Sequence, residues 1–518
     1  MRKYFALLIA ILLLFSLLVN ITAFSDSNMA SNMKKGHVSV DAIIKGYYAV
    51  DIALVKSPKG VFIYVMDVGN VSVFDRSGNL IAKLTPNDIG DEVLGFVAIE
   101  GKYVDGVGII LIVLYHNLTD TPTDRSKWHN TLGMWILDDS NNFSSGPVWT
   151  TDLQRYSFYT GGASGVMALP DLLRLEENKV VIAPPPYWYS SDYSKVYVIR
   201  DILSKEGSVV PDIVVDVSRA MFLQPPCRIY GDVLVVPVYD LFKGGVTLNL
   251  YNISGSSGVI TNPIQRVFLG TDTYIFGNPV GGAGNVISVW IPDSATGKII
   301  NYYYSGSEVI CNLSLDLLKE LNLSDQAILF GAESSHVRNA GEGFVSYYSV
   351  IAADQLGNAS FIVLKSQCGE ANSIEYRILN ISGLLPNLSG ESFQLTRYAV
   401  PDKVNEPFMI FMGQEGETRP ERNITGGLIL MVNLEKNYYY YYYGEHDAYE
   451  FYRLTDDANV LVTASINPNT TVVYSLSPPL FVGGEVETTH RSYFLPYLLA
   501  AVVVTSVVIA VKSSRTKK

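Results

Sequence analysis

Short apolar runs separated by turn residues make up most of the chain. The runs are rich in Val, Ile, Tyr and Phe, and clusters of Gly, Asn, Asp, Ser and Pro lie between them. This pattern is typical of many short β-strands joined by turns. Only residues 315–323 and, more weakly, residues 169–177 show the apolar spacing of a short helix. The sequence therefore predicts an all-β fold.

These runs recur as a unit along the chain. Each unit contains an aliphatic strand, a loop, a second strand that ends near Asp or Asn, and then a turn and another strand. Starts spaced by roughly 40 to 70 residues fit propeller blades with loop insertions. The recurrence predicts a single β-propeller of seven or eight blades over residues 38–482, and the alternative is an array of two-sheet β-sandwiches. The units begin near Val61, Gly108, Lys179, Asp232, Thr273, Gly343, Pro407 and Asn459.

A propeller has to close its ring, because an open ring leaves unpaired strand edges at one radial gap. Residues 47–55 are predicted to form an early strand, and residues 459–480 the last strands of the repeated region. We expect these two segments to pair or pack in the same blade. That closure would bring both chain ends together on one face of the ring, the face nearer the membrane.

Two of the turns resemble the turn of quinoprotein-like β-propeller repeats, the superfamily of PQQ-like and WD40-like propellers. Residues 289–298, VWIPDSATGK, read as a strand, an Asp, two residues, Thr-Gly-Lys and another strand, and residues 71–80, VSVFDRSGNL, are a looser version. The usual repeat-ending Trp is missing after the first turn. The resemblance implies no quinone, since non-enzymatic members share the turn, and we expect no cofactor. In that family the Asp caps the turn and the Gly takes a positive φ, roles that fall here to Asp293, Gly297, Asp75 and Gly78.

The N-terminus carries an export signal. Two basic residues precede an apolar run over residues 4–19. A positive start followed by such a run predicts a signal peptide or a retained signal anchor over residues 1–24. Residues 25–37 would then link this segment to the propeller.

The C-terminus carries the signal of a membrane anchor. Residues 493–511 contain no charged side chain, and about 19 residues at roughly 1.5 Å each match the hydrocarbon thickness of a bilayer. We expect a transmembrane helix there, after a juxtamembrane linker over residues 483–492. The tail, residues 512–518, is basic, and basic residues stay on the cytoplasmic side. The large domain is therefore predicted to be extracellular and held in the cell membrane by a single pass.

The charge of the chain argues against a nucleic acid partner and indicates a surface that carries glycans. The chain has 38 basic and 50 acidic residues, a net charge of −12, and an acidic domain repels phosphate backbones, so we expect no nucleic acid partner. Charged residues are only 17% of the chain, and glycans would supply the missing solubility. Acceptor Asn-x-Ser/Thr motifs for N-glycosylation occur at Asn70, Asn117, Asn142, Asn252, Asn312, Asn322, Asn358, Asn380, Asn387, Asn423 and Asn469.

The three cysteines leave two alternatives open. Outside the cell one pair among Cys227, Cys311 and Cys368 would form a disulfide and leave a single thiol. Alternatively, all three are buried thiols that act as small apolar residues. No Cys-x-x-Cys motif or Cys/His cluster is present in the sequence, which argues against a structural zinc site.

One loop combines possible metal ligands. His and carboxylate side chains bind divalent ions, and four of them lie between two predicted strands, although their spacing matches no known ligand pattern. The alternative is a glycosylated insertion around Asn117. The candidate ligands are His116, Asp120, Asp124 and His129.

Aromatic residues provide the candidate binding sites. Tyr187, Trp188 and Tyr189 follow three prolines, which would project the rings on a stiff loop. Six consecutive tyrosines, residues 438–443, read as a strand whose rings face opposite sides in turn. That strand either presents rings to a partner or packs on both faces against neighbouring blades. Residues 445–447, Glu-His-Asp, are predicted to be a solvated turn.

No catalytic motif stands out in the sequence. The Gly-x-Ser segments at Ser164 and Ser257 lack the final Gly of a nucleophile elbow. We therefore predict a membrane-anchored extracellular glycoprotein whose propeller binds a protein or glycan partner at the cell surface. The alternatives are an ectoenzyme, a hydrolase or oxidoreductase with its site at the propeller channel, and a factor for envelope assembly or export. The combination of tether, glycosylation motifs, sparse charge and many tyrosines resembles archaeal cell-surface proteins.

Overall fold

The computed structural model describes most of the predicted propeller region. It covers residues 18–19 and 33–479, apart from positions 48, 68, 119–127, 139, 154–171, 184–194, 218–220, 224–226, 241–243, 256, 271–278, 294–295, 324–327, 354–358, 370–371, 380–392, 418–422, 445–450 and 466–468. Within these residues no helix is both long enough and apolar enough to cross a bilayer. The predicted signal segment, apart from residues 18–19, and the predicted transmembrane helix lie outside them.

Eight separate sheets follow one another along the chain, which confirms the β-propeller and sets the number of blades at eight. Their strand pairs are antiparallel except for three short edge strands, which pair in parallel. In each blade the first of the consecutive strands lies nearest the channel, and in blade 7 Leu18–Val19 pair with that strand on its channel side. Blade 1 contains Asp51–Ser57, Gly60–Met66, Val71–Asp75 and Leu80–Leu84. Blade 2 contains Val93–Val104, Gly108–Leu118, Trp128–Leu137 and Trp149–Leu153, with Gly207–Ser208 at its edge. Blade 3 contains Leu173–Glu176, Lys179–Ile182, Lys195–Arg200 and Ile213–Asp216, with Gly258–Ile260 at its edge. Blade 4 contains Met221–Leu223 and Arg228–Tyr230 as a divided first strand, then Val233–Asp240, Gly245–Asn252 and Gln265–Gly270.

The second half of the ring repeats this plan. Blade 5 contains Val280–Ala283, Val286–Asp293, Lys298–Ser305 and Glu308–Asp316. Blade 6 contains Ile328–Gly331 and His336–Ala340 as a divided first strand, then Gly343–Ala353, Ala359–Cys368 and Ser373–Leu379. Blade 7 contains Phe393–Ala399, Phe408–Glu417, Asn423–Asn433 and Tyr438–Gly444, with Leu18–Val19 and Lys34–Lys35 at its two edges. Blade 8 contains Phe451–Leu454, Val460–Ser465, Thr470–Ser477 and His37–Lys45.

The hydrophobic core lies between blades. Apolar clusters join each blade to the next around the ring, including blade 8 to blade 1, where Ile44, Ile63, Val462 and Val473 are buried together. A strand packed on both faces has to be apolar on both faces, which explains the continuous Val and Ile runs of the sequence. The six-tyrosine strand follows the same rule, because Tyr438 and Tyr440 face blade 8 while Tyr439 and Tyr441 face blade 6.

The ring closes with an N-terminal strand, but not with the predicted one. His37–Lys45 is the outermost strand of blade 8 and pairs with Thr470–Ser477, from His37 opposite Ser477 to Lys45 opposite Thr470. The prediction that residues 47–55 share a blade with the last strands was wrong, because Asp51–Ser57 is the innermost strand of blade 1. The two chain ends of the ring do come together, as predicted.

The ring has two unlike faces. We call the face where the first and second strands of each blade join the turn face, and the opposite one the loop face. Adjacent turns bond to each other around the turn face: Lys179 Nζ donates to the carbonyl of Gly231 at 2.7 Å, and the amide of Asp232 donates to Oδ1 of Asn285 at 3.1 Å. The pairing of His37 with Ser477 places both ends of the ring at the turn face.

Local structure agrees with the sequence in part. Helices are short: Pro86–Ile89, Leu317–Glu320 and the 3₁₀ turn Ile202–Ser204. Of the helix predicted over residues 315–323, a single turn is present, Leu317–Glu320. The prediction of a helix over residues 169–177 was wrong, because Leu173–Glu176 is the innermost strand of blade 3.

The two turns that resemble quinoprotein-like repeats have the geometry the resemblance implies. The Thr296 hydroxyl donates to Oδ2 of Asp293 at 2.6 Å, and Gly297 has a φ of +69°. A Cβ at Gly297 would also lie 2.5 Å from the side chain of Leu318. Both the positive φ and this close contact therefore require glycine at the position. In the looser version the amide of Asn79 donates to Asp75 Oδ1 at 2.9 Å.

Candidate functional site

The predicted metal loop is only partly within the described residues. His116 is buried in the second strand of blade 2, where desolvation lowers its pKa to about 4, with a smaller opposing effect from its hydrogen bond to Asn130. It is therefore neutral at neutral pH. Asp120, Asp124 and the side chain of His129 lie outside the described residues, so the metal site stays a prediction. Among the side chains that the structure describes, no group of three His, Cys, Asp or Glu is placed to hold a metal ion.

The predicted aromatic contact site also falls outside the described residues, because residues 184–194 include Tyr187, Trp188 and Tyr189. The strands on either side of this segment, Lys179–Ile182 and Lys195–Arg200, are antiparallel neighbours in blade 3. The second strand of blade 3 ends at Ile182 on the loop face, and the third strand begins at Lys195 on the same face. In blade 2 the second strand ends at Leu118 and the third begins at Trp128, also on the loop face.

Several predicted glycosylation positions are on the surface. Asn142, Asn252, Asn312 and Asn322 are exposed, whereas Asn70 and Asn469 are half-buried. Exposure is a requirement for a glycan and does not establish one. The remaining side chains lie outside the described set: Asn117, Asn358, Asn380, Asn387 and Asn423.

The most developed polar arrangement lies at the turn-face end of the central channel. Residues 400–407, which we call the channel segment, connect the first and second strands of blade 7. Six of the other blades make this connection with only two or three residues. The longer connection lets blade 7 reach strands on the far side of the ring.

Asp402 is the centre of this arrangement. Arg174 of blade 3 bonds to both of its carboxylate oxygens through Nη2 at 3.1 Å. Arg228 of blade 4 donates through Nη1 at 2.5 Å, and the hydroxyl of Tyr230 donates at 2.9 Å. The side chains of Asp402 and Arg228 are each 8% exposed, and that of Arg174 is 11% exposed. A buried carboxylate is thus matched by two buried guanidinium groups.

The electrostatics of this cluster keep the carboxylate charged. Burial on its own would raise the pKa of Asp402, but the nearby positive charges of Arg228, Arg174 and Lys403 outweigh it, aided by the Tyr230 hydroxyl. The net result is a pKa well below the ordinary value for Asp. Burial also raises the pKa of Tyr230 far above its usual value, so this hydroxyl stays protonated and remains a donor. A carboxylate held in this state has no tendency to accept a proton near neutral pH, which makes it a poor general base.

Further contacts tie the channel segment to the rest of the ring. The carbonyl of Val400 accepts from the Ser334 hydroxyl of blade 6 at 2.6 Å. The amide of Asn405 donates to the carbonyl of Asp456 in blade 8 at 2.7 Å. Lys403 Nζ donates to the carbonyl of Leu175 in blade 3 at 3.2 Å.

The channel segment therefore contacts four blades besides its own. The bond from Asn405 joins it to the turn of the neighbouring blade 8, and the Asp402 cluster joins it to blades 3 and 4 on the opposite side. Such a connection spans the channel at the turn face and holds opposite blades together. We call this the cross-brace. Its role is structural rather than catalytic, because the Asp402 carboxylate forms ion pairs with Arg174 and Arg228.

A second buried carboxylate joins the blades where the ring closes. Asp51, 1% exposed, begins the innermost strand of blade 1 and accepts from Arg453 Nη2 of blade 8 at 2.9 Å. Its other oxygen accepts from the amide of Ile99 in blade 2 at 3.1 Å. One side chain thus links three consecutive innermost strands.

Comparison with known proteins gives two distant similarities of structure. No family model matches the chain, and no curated protein matches it. The chain is similar to the WD40 domain of SCAP from fission yeast, with 7% identity over 86% of this chain and 98% of that one and a TM-score of 0.37. It is also similar to the Nup133 β-propeller domain of Vanderwaltozyma polyspora, with 9% identity over 70% and 97% and a TM-score of 0.33. At these scores the likeness carries no argument about function, and the eight-bladed fold rests on the strand pairing described above.

Proposed function

We propose that this protein is a membrane-anchored glycoprotein of the cell surface whose propeller binds a partner protein through its loop face. The observation that carries the proposal is the asymmetry of the ring. Both ends of the ring leave from the turn face, where His37 pairs with Ser477. The C-terminal segment predicted to span the membrane therefore starts on the turn face, so the loop face points away from the bilayer in this proposal. Leu18–Val19 of the predicted signal segment pair with Gln394 and Phe393 at the loop-face end of blade 7, so the C-terminal helix is the anchor that this orientation rests on.

The channel supports the same division of roles. The cross-brace occupies the turn-face end of the channel and uses its charged groups on each other. The described strands that precede and follow Tyr187, Trp188 and Tyr189 in the chain, Lys179–Ile182 and Lys195–Arg200, end and begin on the loop face. Aromatic side chains give a large contact area at low entropic cost, and they are enriched among the residues that dominate binding energy. A partner is therefore proposed to dock on the loop face near blade 3. A family relationship to quinoprotein-like propellers remains part of this proposal and rests on the two turns alone.

A capture experiment tests the binding proposal. The detergent-solubilised full chain is immobilised and exposed to membranes of its source cells, and the bound proteins are quantified. Alanine at Tyr187, Trp188 and Tyr189 together is expected to reduce capture of the partner at least about tenfold, because aromatic hot spots each contribute roughly 2 kcal/mol or more. The matched control is Val210→Ala, since Val210 is 80% exposed in blade 3 on the turn face.

The outcomes separate the alternatives. Equal loss of capture in both variants, or no loss in the triple variant, contradicts docking on the loop face. Protease treatment of the membranes before capture is expected to abolish binding. Capture that survives protease but is lost after periodate oxidation of sugars would identify a glycan as the partner instead.

A further inference from the structure

Two of the three cysteines lie together at the boundary between blades 5 and 6. Cys311 is in the outermost strand of blade 5 and Cys368 ends the third strand of blade 6. Their residues are 7% and 6% exposed, and both belong to one apolar cluster with Val286 and Tyr303. Cys227 is buried in a different cluster, between blades 3 and 4.

A buried polar network fixes how blades 5 and 6 pack at this point. Asn301 Nδ2 donates to the hydroxyl of Ser366 at 2.5 Å, and the Tyr303 hydroxyl donates to the carbonyl of Ser366 at 3.1 Å. Closer to the channel, the hydroxyls of Ser288 and Ser346 bond at 2.8 Å. Because buried hydrogen bonds are directional, this network sets the register between the two sheets.

That register places Cys311 and Cys368 in the same buried cluster. Cys311 lies directly opposite Tyr303 in the adjacent strand, so both side chains are on the same face of blade 5. Cys368 follows Ser366 by two residues and shares its face of blade 6. Since Tyr303 bonds to Ser366 across the boundary, Cys311 and Cys368 come together in the same buried cluster there.

We propose that Cys311 and Cys368 form a disulfide bond that fastens blade 5 to blade 6 in the exported protein, and that Cys227 remains a thiol. Formation of the S–S bond removes one hydrogen from each thiol. The two electrons and two protons pass to a disulfide-bonded thiol oxidoreductase, whose own disulfide is reduced to a dithiol. The inference rests on the proposed export of the domain, because such a bond persists in an oxidising compartment.

The bond is expected to form before the two blades finish packing. Burial, followed by the contact with Cys311, raises the pKa of Cys368 to about 12. The thiolate is the reactive species in exchange, and it is scarce once the site is buried. A reduced, already folded chain should therefore oxidise slowly, and a chain that folds during export should oxidise readily.

A non-reducing peptide map tests the proposal. The full chain is exported by a host into an oxidising compartment, its free thiols are blocked by alkylation under denaturing conditions, and its peptides are identified by mass spectrometry. We expect a linked pair of peptides that contain Cys311 and Cys368, and alkylation at Cys227 alone. The matched control, Cys227→Ser, should keep the same link.

A second set of measurements tests the disulfide separately from the proposed export of the protein. Reduction, or the double change Cys311→Ser and Cys368→Ser, is expected to lower the melting temperature by about 2 to 5 °C, and Cys227→Ser should not remove the sensitivity to reductant. Alkylation of both Cys311 and Cys368 in the chain exported by the host overturns the disulfide, as does a link that involves Cys227. If the link forms in that host but not in protein taken from the source cells, the disulfide geometry stands and the proposed export fails.

Discussion

Deleting residues 37–45 is expected to destabilise the whole ring rather than one edge of it. This strand supplies the outermost position of blade 8, where it pairs with Thr470–Ser477 and buries Ile44 against blade 1. Its loss exposes an apolar strand edge and opens part of the boundary between the last and first blades, and exposed edges promote aggregation. We expect most of the deleted chain to elute as aggregates and the remainder to melt at least about 5 °C lower.

The control for this deletion is removal of residues 24–32, the same number of residues immediately upstream of the described ring. This change can affect only the two-residue pairings of Leu18–Val19 and Lys34–Lys35 at the edges of blade 7, so it should shift the melting temperature by no more than a degree or two. A synthetic peptide of residues 33–47, added to the chain that lacks 37–45, should restore part of the loss by adding a strand to the open edge. A deleted chain that stays monomeric and melts within a degree or two of the full chain contradicts closure by this strand.

Asp402→Asn is expected to lower the free energy of unfolding by about 3 to 5 kcal/mol. The substitution keeps the shape of the side chain but removes the negative charge between Arg174 and Arg228, two guanidinium groups that are largely shielded from water. The ion pair of Arg174 with Glu176 at 3.6 Å remains. Chemical denaturation monitored by tryptophan fluorescence measures the change. Glu375→Gln, which breaks the exposed pair with Lys365, is the control and should cost at most about 1 kcal/mol.

The same cluster predicts a dependence of stability on pH. The pKa of Asp402 is lower in the folded protein than its ordinary value of about 3.9. The cross-brace therefore stabilises the fold fully above that ordinary value, and this contribution is lost as the pH falls toward the folded-state pKa. The wild type should lose stability below about pH 4 more steeply than Asp402→Asn. Equal slopes for the two proteins would show that the carboxylate is not held in its charged form.

The sequence was most informative where each strand has its own clear pattern. The recurring apolar runs predicted the propeller, but most units were read as starting on the second strand of a blade, near Val61 and Gly108, for example. The second strands are long and uniformly apolar, whereas some innermost strands are short or divided. Leu173–Glu176 has only four residues, and its spacing resembles that of a helix. This is why Arg174 was not recognised as a residue that faces the channel.

The cross-brace and the cysteine pair depend on contacts that no local pattern shows. Asp402 bonds to residues more than 170 positions away in the chain, and it stands in a segment with no recognisable motif. The correct choice of cysteines requires the register between blades 5 and 6, which a buried network of serine, asparagine and tyrosine sets. An odd number of cysteines, three, allowed one disulfide within the chain, but the sequence gave no basis for choosing which two cysteines form it.

The orientation of the ring on the membrane tests the account most directly. Ser77 on the turn face and Asp91 on the loop face are both exposed and flank the same outermost strand of blade 1, and the three native cysteines are buried. The full chain with Ser77→Cys or Asp91→Cys is labelled with a donor dye and reconstituted into vesicles that carry an acceptor on the lipid headgroups. We predict more efficient energy transfer from the label introduced by Ser77→Cys than from the one introduced by Asp91→Cys. Equal transfer, or greater transfer from the loop face, would contradict a propeller that stands with its turn face toward the bilayer.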